Sequence, residues 1–453
     1  MKYNKLINEV KQFFLKNKYK EILVALSGGA DSVCLLHVLK KLESELNFKI
    51  YAAHVNHMLR DKEADRDEEF VLNLCKKWNI ECFSERFDVA KIAKETKESI
   101  ETAARNVRYS FFESLCKTHG IDVIATAHHL DDNIETVLMH FIRGSGLKGL
   151  SGISCINDKG IIRPLINISR DEILDYISEN NLEYVVDSTN SQTIYHRNSI
   201  RHELIPMLLN YNPNFKKSLS RNIRLYKASD KFLQSLADVE FDKLVKRDKF
   251  GLSFNLSVLR EKDEIIRYYI IARAVKEVSN GFTADLDRIF DIDKCLNKEN
   301  SSISVGKNLK VFVLYNKVYF ISEKDKDENK YPLYVGTELY ISSAGVTFVS
   351  TPVTSKTIKK NRICLSRRQI EGKQLYIRFK TDGDYFYPTG LGHKKSLQDY
   401  FVDNKVPSFM RKFIPILLVD DEIAWICGYR ADERFIADDD ESDLVEIKFT
   451  EDI

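Results

Sequence analysis

The chain runs to 453 residues, 43% of them hydrophobic and 30% charged. That suffices for two to four packed domains at roughly 100–200 residues each, and it excludes a disordered or fibrous chain. Its 69 basic and 67 acidic residues leave a formal charge of +2, which excludes a protein that coats nucleic acid over its whole surface and confines any RNA contact to local patches.

In chain order, Ile22–Leu26 reads as a buried strand, and Asp31–Glu45 follows with Val33, Leu36, Leu39 and Leu42 at helical spacing. Ile50–Val55 is the next strand. Ala64–Trp78 is a helix with Phe70, Val71, Leu74 and Trp78 on its buried face, and Cys82–Phe87 is a third strand. Ser99–His119 reads as a long helix, Ile121–Ala127 as a fourth strand, and Asp131–Ile142 as a helix whose acidic first turn suits a helix N-terminus. This alternation predicts an α/β fold: a doubly wound parallel sheet covered by helices on both faces, with ligands at the carboxyl ends of its strands. After about Pro213 the pattern changes. Residues 216–294 read as mainly helical, and Ile303–Ser322 alternates like a hairpin around Gly306-Lys307-Asn308. Glu323–Lys330 suits a solvated loop, Leu333–Leu365 reads as short strands, and a small α+β unit from Leu375 ends in the apolar strands Ile414–Val419 and Ile423–Cys427. The expected segments are therefore 1–215, a mainly helical middle domain at 216–330, a linker with short strands at 331–374, and an α+β domain at 375–453.

The eight cysteines (Cys34, Cys75, Cys82, Cys116, Cys155, Cys295, Cys364 and Cys427) include no C-x-x-C pair, which argues against a zinc knuckle or a redox couple. The amphipathic start MKYNKLINEVKQFF carries acid and does not fit a secretory leader. No run reaches the roughly 18 apolar residues of a membrane span. A cytoplasmic protein with no membrane partner is expected.

Ser27-Gly28-Gly29-Ala30-Asp31-Ser32 stands between the first strand and the first helix. Two glycines let backbone approach an anion closely, and the free N–H groups of the helix start then face it. No Gly-Lys-Ser/Thr follows, so the loop is not a Walker A motif. The stretch from Ala125 to Thr136 (ATAHHLDDNIET) runs from a strand end into a helix. There Asp132 and Glu135 lie three apart and can present two carboxylates on one face, the oxygen ligands that Mg²⁺ uses; the plainer reading of an Asp at this place is a helix cap.

The SGGADS loop resembles that of the PP-loop ATP pyrophosphatases, whose signature is SGGxDS. Further segments resemble the tRNA(Ile)-lysidine synthetases among them: His54-Val55-Asn56-His57-Met58-Leu59-Arg60, with Met58 where the family usually has Gly; ETAARNVRY at 101–109; RGSGLKGL at 143–150; Arg163-Pro164-Leu165; Asp187-Ser188-Thr189-Asn190; and Arg197-Asn198-Ser199-Ile200-Arg201. In the C-terminal part, Arg378, Thr381-Asp382-Gly383-Asp384, Lys394-Lys395-Ser396, Lys405-Val406-Pro407 and Arg411 look like the family's tRNA-binding domain. The resemblance is strong over 1–215, clear over about 375–435 and weak between.

The resemblance implies a PP-loop catalytic domain that binds ATP and cleaves it between the α- and β-phosphates. Ser27, Gly28, Gly29, Ala30, Asp31, Ser32, His54 and Asn56 would bind the nucleotide, with Asp31 a metal or orienting carboxylate. Asp132 and Glu135 would hold Mg²⁺. Arg108 would clamp phosphate, His128 would contact the α-phosphate, and Arg197 and Arg201 would hold the adenylate or the lysine carboxylate. The substrates implied are ATP, free L-lysine and tRNA(Ile) with a CAU anticodon, with Lys394, Lys395, Lys405, Arg411 and Lys412 suited to phosphate contacts. A second copy of the chain is a candidate partner. Two rival readings are tRNA thiolation by the same adenylation step, which the missing C-x-x-C disfavours, and a non-catalytic RNA-binding relic, which the intact loop disfavours.

Overall fold

The computed structural model describes residues 3–59, 61–186, 196–279, 281–306, 308–323, 325–356, 359–438 and 441–451. Arg60, Lys307 and the Asp187–Asn190 motif lie outside the described residues. The chain divides into two compact units, Met1–Leu236 and Ala237–Ile453. No helix among the described residues is long and apolar enough to cross a membrane.

The first unit alternates helix and strand: α1 (Tyr3–Lys16), β1 (Glu21–Ala25), α2 (Ala30–Leu46), β2 (Lys49–Asn56), α3 (Asp61–Lys77), β3 (Glu81–Arg86), α4 (Val89–Thr96), α5 (Ile100–His119), β4 (Val123–Ala125), α6 (Leu130–Ile142), α7 (Leu147–Leu150), β5 (Ile161–Ile162) and α8 (Arg170–Glu179). The strands are parallel in the order β3-β2-β1-β4-β5. Connections run one way from β1 to β2 and β3 and the other way from β4 to β5, so the topological switch lies between β1 and β4, where such sheets take ligands.

Period-two alternation sorts the core to two faces. Ile22 and Val24 join Leu6, Val10, Phe14, Val33, Leu36, Leu39 and Tyr176 on one side. Leu23, Tyr51 and Ile124 meet Phe111, Phe112 and Leu115 of α5 on the other. The long helix expected from Ser99 begins there because the Ser99 hydroxyl accepts the Thr102 N–H at 3.1 Å, and it ends on the left-handed Gly120. The fourth strand is three residues long rather than seven, because Thr126–His129 leave the sheet to build a loop. Helix α4, capped by Asp88, and the two-residue β5 were not foreseen; β5 is too short to carry a period.

After α9 (His196–Ser199), a π-helical turn (Ile200–Leu204) and α10 (Ile205–Tyr211), helix α11 (Phe215–Leu244) contains the division between the units. The middle segment has the expected helices α12 (Leu256–Arg260), α13 (Glu264–Val278) and α14 (Leu286–Leu296), and also an antiparallel sheet. Its strands are β6 (Lys246–Asp248), β7 (Gly251–Asn255), β8 (Ser301–Ser304), β9 (Leu309–Leu314) and β10 (Lys317–Ser322), in the order β6-β7-β10-β9-β8.

The stretch 331–374, expected as a linker with short strands, is paired into the sheets that follow it. There β11 (Tyr331–Leu333), β12 (Glu338–Ile341), β13 (Val346–Val353) and β14 (Arg362–Ser366) precede β15 (Leu375–Phe379), the small hairpin of β16 (Tyr385–Phe386) and β17 (Lys395–Ser396), β18 (Pro415–Val419), β19 (Glu422–Ile426), β20 (Arg430–Ala431) and β21 (Leu444–Glu451). One sheet has the order β11-β15-β18-β19-β20 and the other β12-β13-β21-β14. Val346, Phe348, Ile363 and Leu365 are buried with Val445 and Ile447, so apolar alternation is what draws the stretch in.

Candidate active site

The loop after β1 is built for close approach. Gly28 sits at φ +86°, and a Cβ there would lie 2.8 Å from Val185 Cγ2 and 3.3 Å from Val71 Cγ2, so both conformation and space demand glycine. The Gly28 carbonyl accepts the Val185 N–H at 3.0 Å. Gly29 caps α2 in an extended conformation with no side-chain acceptor, which leaves the first N–H groups of this helix for a ligand. Together with the helix dipole they form an anion seat. Ser32 Oγ donates to the Gly29 carbonyl at 2.9 Å and lies 3.2 Å from Ser27 Oγ, so the hydroxyls brace the loop.

Across the switch point, the loop after β4 delivers a second set of groups. His129 and Asp132 form a reciprocal cap of α6: the His129 N–H donates to Asp132 Oδ2 at 3.0 Å, and the Asp132 N–H reaches His129 Nδ1 at 3.5 Å. His129 is buried, with Asp31 Oδ2 3.7 Å from its Nε2. Asp31 in turn takes Arg170 Nη1 at 2.9 Å, so this phosphate-loop carboxylate is held from α8. Asp131 accepts Lys216 Nζ at 2.5 Å and the Arg170 N–H at 2.8 Å. Burial pushes the Asp131 pKa up, but these donors outweigh it and hold the carboxyl below its usual range. His128 bonds Thr126 Oγ1 at 2.9 Å, and burial first, then Arg163, Arg197 and Arg105, push its pKa down to about 4 against the pull of Asp132.

Asp132 and Glu135 are brought together as the spacing predicted, but the structure corrects their partner. Arg197 Nε reaches Glu135 Oε2 at 2.8 Å, and Arg201 reaches Oε1 at 2.6 Å and Oε2 at 3.0 Å. Arg197 Nη2 also takes Asp132 Oδ1 at 3.1 Å. Glu135 is 1% exposed and both its oxygens are occupied by guanidinium groups. A divalent cation there would face two cations at close range, so the pair does not fit Mg²⁺. Among the described residues, no cluster of three or more His, Cys, Asp or Glu side chains could hold a metal ion. Asp132 is a helix cap and Glu135 the anchor of an ion-pair cluster.

His54 and Asn56 are held by protein partners. Both lie at the carboxyl end of β2 but are buried. His54 Nδ1 bonds the Leu26 carbonyl at 2.9 Å, and Asn56 Nδ2 donates to Glu68 Oε2 at 3.0 Å. These bonds tie His54 to the loop after β1 and Asn56 to α3. Asn56 Oδ1 also accepts the Met58 N–H at 3.0 Å, and Met58 adopts φ +51°, the left-handed conformation that favours glycine.

Arg108 is exposed on α5 with no acidic side chain within ion-pair distance among the described residues. In the second unit, Arg378 and Thr381 both bond Asp384, at 2.7 and 3.0 Å, so the R-x-x-T-D-G-D stretch clamps a turn. Arg411, expected on phosphate, is buried and donates to the Val406 carbonyl at 2.9 Å, and Lys395 pairs with Asp403. Lys394 lies over the Tyr385 ring. The site residues that the sequence did not single out are Arg170 and His129. His129 adjoins a chosen residue, but the Asp31–Arg170 pair spans 139 positions and leaves no local signal.

Residues 2–208 match the family model described as PP-loop domain, and 375–447 match the one described as TilS substrate C-terminal domain. A tRNA(Ile)-lysidine synthase of Clostridium tetani is 34% identical over 456 residues, covering 98% of this chain and 97% of that protein. One of Clostridium perfringens is 35% identical over 465 residues, covering 98% of each. Among solved structures, the U34-tRNA thiolase NcsA from Methanococcus maripaludis superposes with a TM-score of 0.43 at 23% identity, over 50% of this chain and 79% of that one, too loosely to carry an argument. Related end to end at this identity, the chain belongs to the tRNA(Ile)-lysidine synthase family.

Proposed function

We propose that the protein ligates free L-lysine to C2 of the wobble cytidine in the CAU anticodon of tRNA(Ile), consuming ATP and giving lysidine. The observation that carries this reading is the SGGADS loop at the carboxyl end of β1, beside the switch point, in a chain whose full-length relatives are tRNA(Ile)-lysidine synthases.

The reaction takes two steps. The C2 oxygen of cytidine attacks the α-phosphate of ATP; the bond to the β-phosphate oxygen breaks, and diphosphate leaves against the N–H groups at Gly28–Ser32. The lysine ε-amine then attacks C2, forms the C–N bond and expels AMP with the former C2 oxygen, while the amine gives up a proton. Fixed N–H donors and guanidinium groups stabilise the charge that grows on phosphate. ATP enters with Mg²⁺ as its solution counter-ion, and no residue is assigned as a ligand of that ion. Neutral His128, with its pKa near 4, adds no charge of its own beside the α-phosphate. Arg197 and Arg201 keep an adenylate or carboxylate within reach only by sharing donors with Asp132 and Glu135. The cytoplasm supplies all three substrates, and a second copy of the chain is not required by this scheme.

Incorporation of radiolabelled lysine into tRNA(Ile) transcripts tests the reading. Label is expected on a CAU transcript, only with ATP, and not on a GAU transcript. Absence of label on CAU, or equal label on both, contradicts it.

A further inference from the structure

Asp31 puts a negative charge beside a seat for anions. It is the second residue of α2, a helix whose N-terminus carries no side-chain cap. With the seat empty, a carboxylate in the first turn suits the helix dipole. With a polyphosphate on the same N–H groups, like charges meet at close range and the carboxylate opposes binding. A loop that holds diphosphate therefore needs this charge offset.

The offset comes from α8. Arg170 Nη1 bridges both Asp31 oxygens, at 2.9 and 3.3 Å. Arg170 is the first residue of α8, and two bonds fix that helix start against α6. The Leu130 N–H donates to the Ile168 carbonyl at 2.8 Å, and the Arg170 N–H donates to Asp131 Oδ2 at 2.8 Å. Ser169 and Glu172 cap α8 reciprocally, with the Ser169 N–H 2.9 Å from Glu172 Oε2. The backbone from which the Arg170 side chain springs is thus pinned on both sides.

Asp131 is 7% exposed, and a carboxylate so placed needs a counter-ion. Lys216 supplies it, with Nζ 2.5 Å from Oδ1. Lys216 is the second residue of α11, and the neighbouring Phe215, Leu219 and Ile223 share an apolar cluster with Ile134, Val137 and Leu138 of α6. The groups alternate in sign from Lys216 through Asp131 and Arg170 to Asp31, and the series ends at the phosphate loop. An ion-pair network that served stability alone would have no reason to end on the carboxylate of an anion seat.

We propose that Arg170 is a positioning residue that neutralises Asp31 and so lets the Gly28–Ser32 loop accept diphosphate, and that Asp131 and Lys216 hold Arg170 in register. Arg170 acts through Asp31 and touches no phosphate. The inference rests on the reading that this loop receives the diphosphate of ATP.

The test uses the full chain and inorganic diphosphate as the probe, by calorimetry in chelator-treated buffer without tRNA or lysine. Arg170→Gln is expected to weaken binding about tenfold, the cost of leaving like charges face to face. Arg170→Gln/Asp31→Asn is expected to regain most of that loss, because the uncompensated carboxylate leaves with its partner. Lys216→Met should weaken binding about threefold, and Lys216→Arg should restore it. In lysine transfer the KM for ATP should rise by the same factors in the single variants while kcat holds, as loss of uniform binding requires. Unchanged diphosphate affinity in Arg170→Gln overturns the proposal. So does a double variant that binds no more tightly than Arg170→Gln, which makes Arg170 a direct phosphate contact or its role merely structural. Each variant is checked for its native urea midpoint. Should Arg170→Gln not fold, the Lys216 variants decide, and native affinity in Lys216→Met then overturns the proposal. Failure of the parent reading looks different: native protein that binds diphosphate and transfers no lysine to the CAU transcript.

Discussion

The carboxyl edge of the parallel sheet carries two groups of arginines in opposite electrostatic states. Arg197 and Arg201 are locked against Glu135 and Asp132, and their charge is spent inside the protein. Arg105, Arg108 and Arg163 have no such partners among the described residues, and one of them is buried. Arg197 and Arg201 come from an R-x-x-x-R stretch, and Arg105 and Arg108 from a similar-looking R-x-x-R. Spacing on a helix tells which charges share a face; only tertiary contacts tell whether a carboxylate already occupies that face.

Removing the anchor of the paired group has the largest expected effect. Glu135→Gln leaves two partly buried guanidiniums without their shared anion and should lower unfolding free energy by about 3 kcal/mol in urea titrations, in chelator-treated protein as well. Were Glu135 a metal ligand only, chelator-treated protein would not register the change. Gly28→Ala comes next. The new Cβ meets Val185 Cγ2 at φ +86°, which should cost about 1–2 kcal/mol and slow diphosphate release by about a hundredfold as the anion seat shifts.

The unpaired group sharpens the contrast through pH. Burial foremost holds His128 near pKa 4, and likewise His37, while the unfolded chain protonates near 6.5. The unfolded state therefore binds protons first as pH falls, and stability drops between about pH 6.5 and 4. From pH 6.5 to 5 each ring should contribute a loss of about 1–2 kcal/mol, and His128→Asn should flatten the slope of the urea midpoint against pH. Smallest is Lys5→Ala. Lys5 meets Glu172 at 2.6 Å on an exposed surface, so its loss should shift stability by about 0.5 kcal/mol or less.

Much of the first unit was legible. Strands β1 to β3 and helices α2, α3, α5 and α6 carry clean apolar periods, and the phosphate loop follows from two glycines between a strand and a helix. His54 and Asn56 were read as ligand contacts because they end a strand, but position along a strand does not reveal burial: Glu68 and the Leu26 carbonyl, supplied from other elements, had already satisfied them. Arg170 on Asp31 and Lys216 on Asp131 join residues 139 and 85 positions apart, beyond any local pattern. Strands β6 and β7, read as part of a helical stretch, are too short and too polar to announce a sheet until β10 pairs with β7. The stretch 331–374 looked like a linker because its partner β21 lies at the far end of the chain.

The central claim is that the cytidine C2 oxygen takes the α-phosphate while diphosphate leaves into the Gly28–Ser32 loop. The most direct measurement follows that oxygen: a CAU transcript with heavy oxygen at C2 of the wobble cytidine, reacted with native protein, ATP and lysine, with AMP analysed by mass spectrometry. The account predicts that the heavy oxygen leaves in AMP as lysine enters. Heavy oxygen recovered in the tRNA, in diphosphate or in water would contradict it.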